Sequence, residues 1–301
     1  MSTTKIRAFL AVAQCGSFSA AARLLGVSQP TLTTQVQGLE KQHGVQLFIR
    51  RGHRIELTDV GLRLLPIARK LSALEVEAAS MLHDSGQLNA GHLKLGAVSP
   101  FHAIEMVDTY LKRYPLIKIS IKVGNSGSVF KDLEEYAVDL AVLARFHEAE
   151  GYEVIPYARD AVALCVNAKH PFASRDKIDI RELEGERLLQ RESGSVTRRA
   201  LEQAAQNAGV RLAFTMEIGS REALREAVIR GIGIGAVSEG EYSPDPQLRL
   251  VHFSGEPVWI ETCLYCLKER RSSLLLNSFI EVVQELRGKP VRERGGPPPR
   301  Q

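Results

Sequence analysis

Apolar residues near the start of the chain recur at helical spacing. Phe18, Ala21, Ala22 and Leu25 fall at i, i+3, i+4 and i+7, and Leu32, Val36 and Leu39 repeat the pattern shortly afterwards. The spacing predicts two short helices packed stripe to stripe, with the small alanines permitting close approach. Gly26 supplies the tight turn between them, Ser28 caps the second helix, and Pro30 fits its first turn, where an amide is unpaired anyway. The outward face of that helix is Gln29, Thr31, Thr33, Thr34, Gln35 and Gln37. It lacks the Lys/Glu pairs that support a merely solvated helix, whereas amides and hydroxyls suit base edges and phosphate oxygens. The segment therefore reads as a helix-turn-helix, with Ser28, Gln29, Thr31, Thr33, Thr34 and Gln35 as candidate contacts to double-stranded DNA.

Residues 45–61, VQLFIRRGHRIELTDVG, hold two short apolar runs around a basic, glycine-bearing turn. This predicts a hairpin, the wing of a winged helix, with Arg50, Arg51 and Arg54 placed to meet a phosphate backbone or a narrow minor groove. Thr58 then caps a long helix from Asp59 to about His83, with Pro66 inside it expected to bend it slightly. Its stripe of Leu62, Leu65, Leu71, Leu74, Ala78 and Leu82 needs a partner, either a twin helix or a neighbouring domain. The tract 84–91, DSGQLNAG, has the composition of a hinge.

From His92 onward strands alternate with helices. HLKLGAV, IKISIKVG and VDLAVLA are strand-like, separated by helical FHAIEMVDTYLKRYP and SVFKDLEEYA. A second run follows in LLQRE, SVTRRALEQAAQNAG, LAFTMEIGS, REALREAVIRG and IGIGAVSE, and a last helix, SSLLLNSFIEVVQELRG, closes the first lobe. The βαβ order predicts parallel strands with right-handed crossovers in an α/β fold. PVRERGGPPPRQ is too poor in apolar residues to fold.

Charge is localised. Residues 1–60 carry seven Lys/Arg and three Asp/Glu, so the whole formal charge of +4 sits on the helix-turn-helix and the remaining chain is neutral. That is the electrostatic footprint of a DNA-binding head on a neutral body. No apolar run reaches the ~18 residues a membrane helix needs, and the N-terminus lacks a signal-peptide pattern, so a cytoplasmic protein with no membrane partner is expected.

The stretch FLAVAQCGSFSAAARLLGVSQPTLTTQVQGLEKQHGVQLFIRRGHRIELTDVG resembles the N-terminal signature of the LysR-type transcriptional regulators, in motif order, spacing and total chain length. The family commonly has Ser where Thr33 stands and often a cation or serine at Thr34, so its base contacts do not transfer. The resemblance implies a winged helix-turn-helix over 1–58, a dimerising linker helix and hinge over 59–91, a two-lobed type 2 periplasmic-binding-protein-like effector domain over 92–289, and a disordered tail over 290–301. Lobe I would span about 92–161 and 265–289, and lobe II about 162–264. It further implies a homodimer or dimer of dimers on an interrupted inverted repeat, RNA polymerase as a partner, location at the bacterial nucleoid, a small-molecule effector and no cofactor.

The effector is expected in the cleft between lobes, where strand ends and helix N-termini converge. Family effector sites use the position of Ser99, beside Pro100 and Phe101, and the turns facing it. Asn125, Ser126 and Ser128 open a lobe I helix, Ser193, Ser195 and Thr197 open a lobe II helix, and Ser220 opens another. Each alone is an ordinary helix cap, but together they suggest an anion cradle to which Arg145, Arg198 or Arg221 adds a cation. The QPTLTTQV form of the second helix also resembles the subgroup associated with aminoethylphosphonate breakdown.

Other motifs carry less. Cys263 and Cys266 lie in a strand-like run, where an offset of three sends side chains to opposite faces, so neither a zinc nor a dithiol site is expected. Gly231, Gly233 and Gly235 follow a helix and lack the next glycine of a dinucleotide fingerprint, which leaves a tight turn into a buried strand. His102, His147, His170 and His252 are scattered without a carboxylate or cysteine at ligand spacing, and ESGSV at Ser193 and Ser195 is not a nucleophile elbow. An enzyme would need a nucleophile or metal set the chain does not offer. An exported solute-binding protein would leave the wing arginines without a role.

Overall fold

In the computed structural model, which describes residues 2–51, 54–83, 91–98, 100–145 and 150–287, the chain divides into two compact units. These are Met1–Gln87 with Asp132–Val138, and Leu88–Lys131 with Asp139–Gln301. The first contains α1 (Thr3–Cys15), α2 (Phe18–Leu25), α3 (Gln29–His43), β1 (Phe48–Arg51), β2 (Arg54–Leu57) and α4 (Asp59–His83). Ser17 and Ser28 cap α2 and α3 by accepting from the amides of Ala20 and Thr31, and Gly26 ends α2 in the left-handed region at φ 65°. Ala21, Ala22, Leu32 and Val36 are buried against Ala8, Ala11 and Val12 of α1. Glu40 accepts from the amides of Leu47 (2.7 Å) and Phe48 (3.4 Å), tying α3 to the wing, where β1 and β2 pair antiparallel from Phe48↔Leu57 to Arg51↔Arg54. Thr58 starts α4 by accepting from the Gly61 amide at 3.1 Å.

Two expectations change in this unit. Leu25 is not covered by the neighbouring helix: α2 has only eight residues, so its i+7 position is its last, and the reversal at Gly26 leaves Leu25 and Leu24 exposed. The α4 stripe also splits. Ala68 is buried, and Leu64, Leu65 and Leu71 pack with Ile6, Phe9, Leu10 and Leu47, whereas Leu62, Ile67, Leu74 and Val76 are exposed. Leu65 and Leu71 thus belong to the winged-helix core, and Ile67 and Leu74, seven residues apart, form a free apolar edge. The side chain of Leu82, the tract 84–90 and the tail 290–301 lie outside the described residues.

The second unit begins with β3 (Gly91–Ala97), α5 (Pro100–Arg113), β4 (Ile117–Val123), α6 (Ser126–Glu134, whose residues from Asp132 onward count with the first unit) and β5 (Leu140–Ala144). The long strand β6 (Tyr152–Asn167) leads into β7 (Lys177–Ile178), β8 (Leu188–Arg191), α7 (Val196–Asn207), β9 (Phe214–Ile218), α8 (Arg221–Ile229), β10 (Ile234–Ser238), β11 (Leu248–Phe253), β12 (Trp259–Leu267) and α9 (Leu274–Arg287). Strands follow the path β4-β3-β5-β12-β6-β10-β8-β9, with β11 pairing with β6 and β7. The βαβ runs are parallel as expected, β3 with β4 and β5, and β8 with β9 and β10. The sheet as a whole is mixed, because β6 and β12 are antiparallel to each other and to the strands they join.

Those two strands make the two lobes. Residues Ile155 and Tyr157 of β6 and Leu264 and Cys266 of β12 enter a core with Leu93, Met106, Tyr110 and Phe279, so α9 seals the first lobe. Val162 and Leu164 of β6 and Ile260 of β12 enter a separate core with Phe172, Leu183, Leu201 and Val251. The glycine-rich run enters β10 as expected. Gly231 has φ 71°, and a Cβ on Gly233 would lie 2.4 Å from the Arg187 carbonyl oxygen.

Candidate functional site

The exposed face of α3 is the first candidate site. Thr31 and Thr34 are exposed, and Thr33 and Gln35 are partly so. Several of these groups are held by their neighbours. Ser28 Oγ lies 2.7 Å from Thr31 Oγ1, Ser19 Oγ donates to Gln29 Oε1 at 2.6 Å, and Thr33 Oγ1 donates to the Gln29 carbonyl at 2.9 Å. Thr34, Gln35 and Gln37 have no hydrogen-bond partner among the described residues. A duplex can therefore take their full hydrogen-bonding capacity, but only the acceptor side of Thr33. Arg50, at the end of the wing, is exposed and carries no ion pair among the described residues. The side chains of Arg51 and Arg54 lie outside the described ones.

The second candidate lies in the other unit, between its lobes. The cleft holds about 20 Å³, room for a single water. From the first lobe it is lined by Val98 and Asn125, and from the second by Ser195 and Thr197 at the start of α7 and by Arg191 and Arg221. Ser195 and Thr197 are buried; Ser195 caps α7 by accepting from the Arg198 amide. Ser126 Oγ, next to Asn125, is buried without a hydrogen-bond partner among the described residues. Among the described residues, two close approaches between the lobes lie at the cleft. Arg221 Nη1 donates to the Val98 carbonyl at 2.5 Å, and a Cβ on Gly194 would lie 2.6–2.7 Å from the Asn125 carboxamide.

The structure brings together Asn125, Ser195, Thr197 and Arg221 of the expected effector residues, and separates others from the cleft. Arg145 is exposed and pairs with Glu261 at 2.6 Å. Arg198 spans Glu202 and Glu217, both at 3.0 Å, and donates to the Arg191 carbonyl. Neither arginine lines the cleft, and each is paired with neighbouring carboxylates. Ser128 is exposed and exchanges hydrogen bonds with the Asn125 backbone, Ser193 is exposed, and Ser220 caps α8 and donates to Glu222. Pro100 and Phe101 open α5, with Phe101 exposed, and Ser99 lies outside the described residues.

Sequence reading missed Arg191, Glu192, Ser238, Glu241 and Thr262, all of which line the cleft. Arg191 ends β8, Ser238 ends β10 and Thr262 sits on the crossover strand β12; each is less than 8% exposed. The available signal was a polar residue at the end of a predicted buried strand, where such folds present their ligands. Glu222, at the start of α8, is held below the usual carboxylate range by its own backbone amide and the Ser220 hydroxyl, helped by Arg221 and Arg191. One carboxylate thus feels both cleft guanidiniums.

His102 departs from expectation. Sequence spacing paired it with no carboxylate, yet Nε2 lies 2.9 Å from Asp160 and Nδ1 3.9 Å from Glu105, which also accepts from the Tyr157 hydroxyl at 2.6 Å. Burial works to lower its pKa, but the two carboxylates outweigh burial and lift it to about 9. The fold supplies what spacing could not, since Asp160 arrives on β6 from 58 positions away. His170 and His252 likewise lie 3.5 Å from Glu186 and 3.4 Å from Glu239, and His147 is outside the described residues. Cys263 and Cys266 are fully buried, and burial pushes both thiols up to about 11. Among the described residues no group of three His, Cys, Asp or Glu is placed to hold a metal ion, and no helix is long and apolar enough to cross a membrane.

Comparison with known proteins agrees with both halves of the chain. Residues 3–62 match the family of bacterial regulatory helix-turn-helix proteins of the lysR type, and residues 86–287 match the LysR substrate binding domain. The chain is 27% identical to the HTH-type transcriptional activator CmpR of Synechocystis over 91% of each sequence. It is 31% identical to a "Probable RuBisCO transcriptional regulator" of Nostoc, over 82% of this chain and 76% of that protein. A full-length OxyR variant from Pseudomonas aeruginosa superposes with a TM-score of 0.77 at 20% identity, covering 94% of this chain and 95% of that one. Full-length CbnR complexed with its target DNA gives 0.71 at 22% identity, covering 95% and 100%. The CcmR regulatory domain of Synechocystis in complex with 2-PG gives 0.61 at 22% identity, covering 66% and 98%. With a helix-turn-helix head and a matched effector-domain model spanning most of its length, the chain belongs to the LysR family of transcriptional regulators.

Proposed function

We propose that this regulator binds an interrupted inverted repeat in promoter DNA as a dimer or tetramer and changes its output when a small anionic effector occupies the cleft of its C-terminal unit. The observation that carries the reading is the outward face of α3, where Thr34, Gln35 and Gln37 stand without hydrogen-bond partners among the described residues, together with the exposed wing residue Arg50. In this reading Ser28, Gln29, Thr31, Thr33, Thr34 and Gln35 face the major groove, and Arg50, Arg51 and Arg54 face the backbone or minor groove. The apolar edge of α4 at Ile67 and Leu74 pairs with its twin, which places two recognition helices on one duplex. Similarity to a relative captured on target DNA supports the first half, and similarity to a regulatory domain holding 2-PG supports the second.

Asn125, Ser195, Thr197 and Arg221 are the effector residues the cleft favours, with Ser126 next to Asn125 in the chain. The protein performs no catalysis, works in the cytoplasm at the nucleoid and acts on RNA polymerase at the promoter. Purified protein should shift a labelled duplex carrying the repeat next to its own gene at least about tenfold more tightly than a scrambled duplex at the same salt. A thermal-shift screen of small acids should find stabilisation by at least one carboxylate, phosphate or phosphonate. Equal affinity for both duplexes refutes the regulator reading, and stabilisation by neutral or cationic compounds alone refutes the anionic effector.

A further inference from the structure

Both arginines that line the cleft already hold a carboxylate. Arg191 places Nε 2.8 Å from Glu192 Oε2 and Nη2 2.9 Å from Oε1, and Arg221 places Nε 2.7 Å from Glu241 Oε2 and Nη2 3.0 Å from Oε1. Each is a fork-on-fork pair, the strongest geometry a guanidinium and a carboxylate can adopt. The pairs are well covered, with side-chain exposures of 8% and 18% for Arg191 and Glu192, and 24% and 11% for Arg221 and Glu241. The charge lining the cleft is therefore balanced.

This balance constrains the ligand. An anion that takes either guanidinium for itself strands a covered carboxylate beside it, and an unmatched charge in such a place is costly. A molecule carrying an oxyanion and an ammonium avoids that cost. Its oxyanion shares the guanidinium edge, its ammonium takes the released carboxylate, and the site stays neutral throughout. The remaining lining suits either end, because Ser195, Thr197, Ser238 and Thr262 are buried hydroxyls that both donate and accept.

Resting on the proposed effector role of the cleft, we propose that its ligand is a compact zwitterion, an oxyanion and a primary ammonium joined by a short aliphatic chain, bound by exchange with the Arg191–Glu192 and Arg221–Glu241 pairs. The anionic end also replaces the Val98 carbonyl on Arg221 Nη1, so that binding loosens this contact between lobes.

Matched probes test this on the full-length protein by calorimetry and thermal shift. Aminoethylphosphonate is compared with ethylphosphonate and ethylamine, and β-alanine with propionate and ethylamine. At least one zwitterion should bind about tenfold or more tightly than its matched anion, and ethylamine should not bind. Glu241→Gln should bring zwitterion and anion to within about threefold of each other, while circular dichroism and operator binding report a folded head and body. Should Glu241→Gln unfold the protein, Glu192→Gln provides the same comparison. An anion binding as tightly as its zwitterion overturns the inference and leaves the anionic-effector reading standing. Zwitterion selectivity that survives both substitutions overturns it as well, and silence from both zwitterions overturns it while leaving the anionic-effector reading to the wider screen of small acids.

Discussion

The face of α3 and the interlobe cleft hold their polar groups in opposite states. On α3, Thr34, Gln35 and Gln37 are without partners among the described residues, whereas in the cleft Arg191 and Arg221 are each saturated by a glutamate in a space of about 20 Å³. The difference follows from burial. A surface that meets DNA can leave donors and acceptors open, because water satisfies them until the duplex arrives. A buried cleft cannot, so it satisfies its own charges when empty and must exchange those contacts for a ligand's. Recognition by the head is an addition, and recognition by the cleft is a substitution.

The largest expected effect bears on the head alone. Ile67→Asp combined with Leu74→Asp places two charges on the exposed edge of α4 without touching Leu65 or Leu71, which belong to the winged-helix core. Sedimentation should show monomers, and operator affinity should fall by about 100-fold or more, because the second head no longer binds as part of one molecule. Stabilisation by a cleft ligand should be unaffected. A dimer that persists through both substitutions would show that α4 is not the joint.

The next effect bears on the body. His102 has a folded pKa of about 9 against an ordinary value of 6.5, so its contribution is fully present below pH 6.5 and is lost as pH rises through 9. That difference corresponds to at most ~3 kcal/mol. Urea unfolding at the two ends of that window should show the wild type losing more stability than His102→Gln, whose side chain does not titrate. Equal losses would mean that Asp160 and Glu105 do not hold a charged imidazole.

The same contrast explains what the sequence disclosed. Ser28, Gly26 and the stripe of Leu32, Val36 and Leu39 act within a few residues of each other, and the caps, turn and core they predict are present. Exposed polar residues on α3 could be read directly, since nothing in the fold rearranges them. The cleft could not be read this way. Ser195 and Thr197 were found because helix caps are local, but of the alternative cations Arg145, Arg198 and Arg221 only Arg221 lines the cleft, while Arg145 and Arg198 pair with Glu261, Glu202 and Glu217. Arg191 and Glu192 look like any charged dipeptide until the C-terminal end of β8 delivers them to the cleft. His102 acquired its charge from Asp160 on a strand whose register no spacing rule supplies. Leu25 failed for the complementary reason, that periodicity names a face and the length of the helix decides whether anything covers it.

A smaller effect separates neighbouring hydroxyls on α3. Thr34→Ala should reduce discrimination between operator and altered sites by ~1 to 3 kcal/mol if it makes a direct base contact. Thr33→Ala should cost less, because the Thr33 hydroxyl already donates to the Gln29 carbonyl. Arg50→Ala should leave discrimination alone and flatten the dependence of log affinity on log salt by about one unit. Equal losses of specific and random binding for Thr34→Ala would take that residue off the base edges.

The smallest effect tests whether the empty cleft is closed by its own contacts. Gly194 lets the second lobe approach the Asn125 carboxamide, and a methyl group there would need space that the present geometry does not provide. Gly194→Ala should therefore part the lobes slightly, at a cost of ~1 kcal/mol in stability. By raising the share of open molecules it should speed ligand association by about fivefold. Trp259, the only tryptophan of the chain, lies on the crossover strand β12 with the Arg159 guanidinium 4.6 Å from its ring centre. It provides a fluorescence signal for stopped-flow measurement without a label. If Gly194→Ala binds its ligand at the wild-type rate, closure does not limit entry, and the saturated arginines alone set the barrier that a ligand must cross.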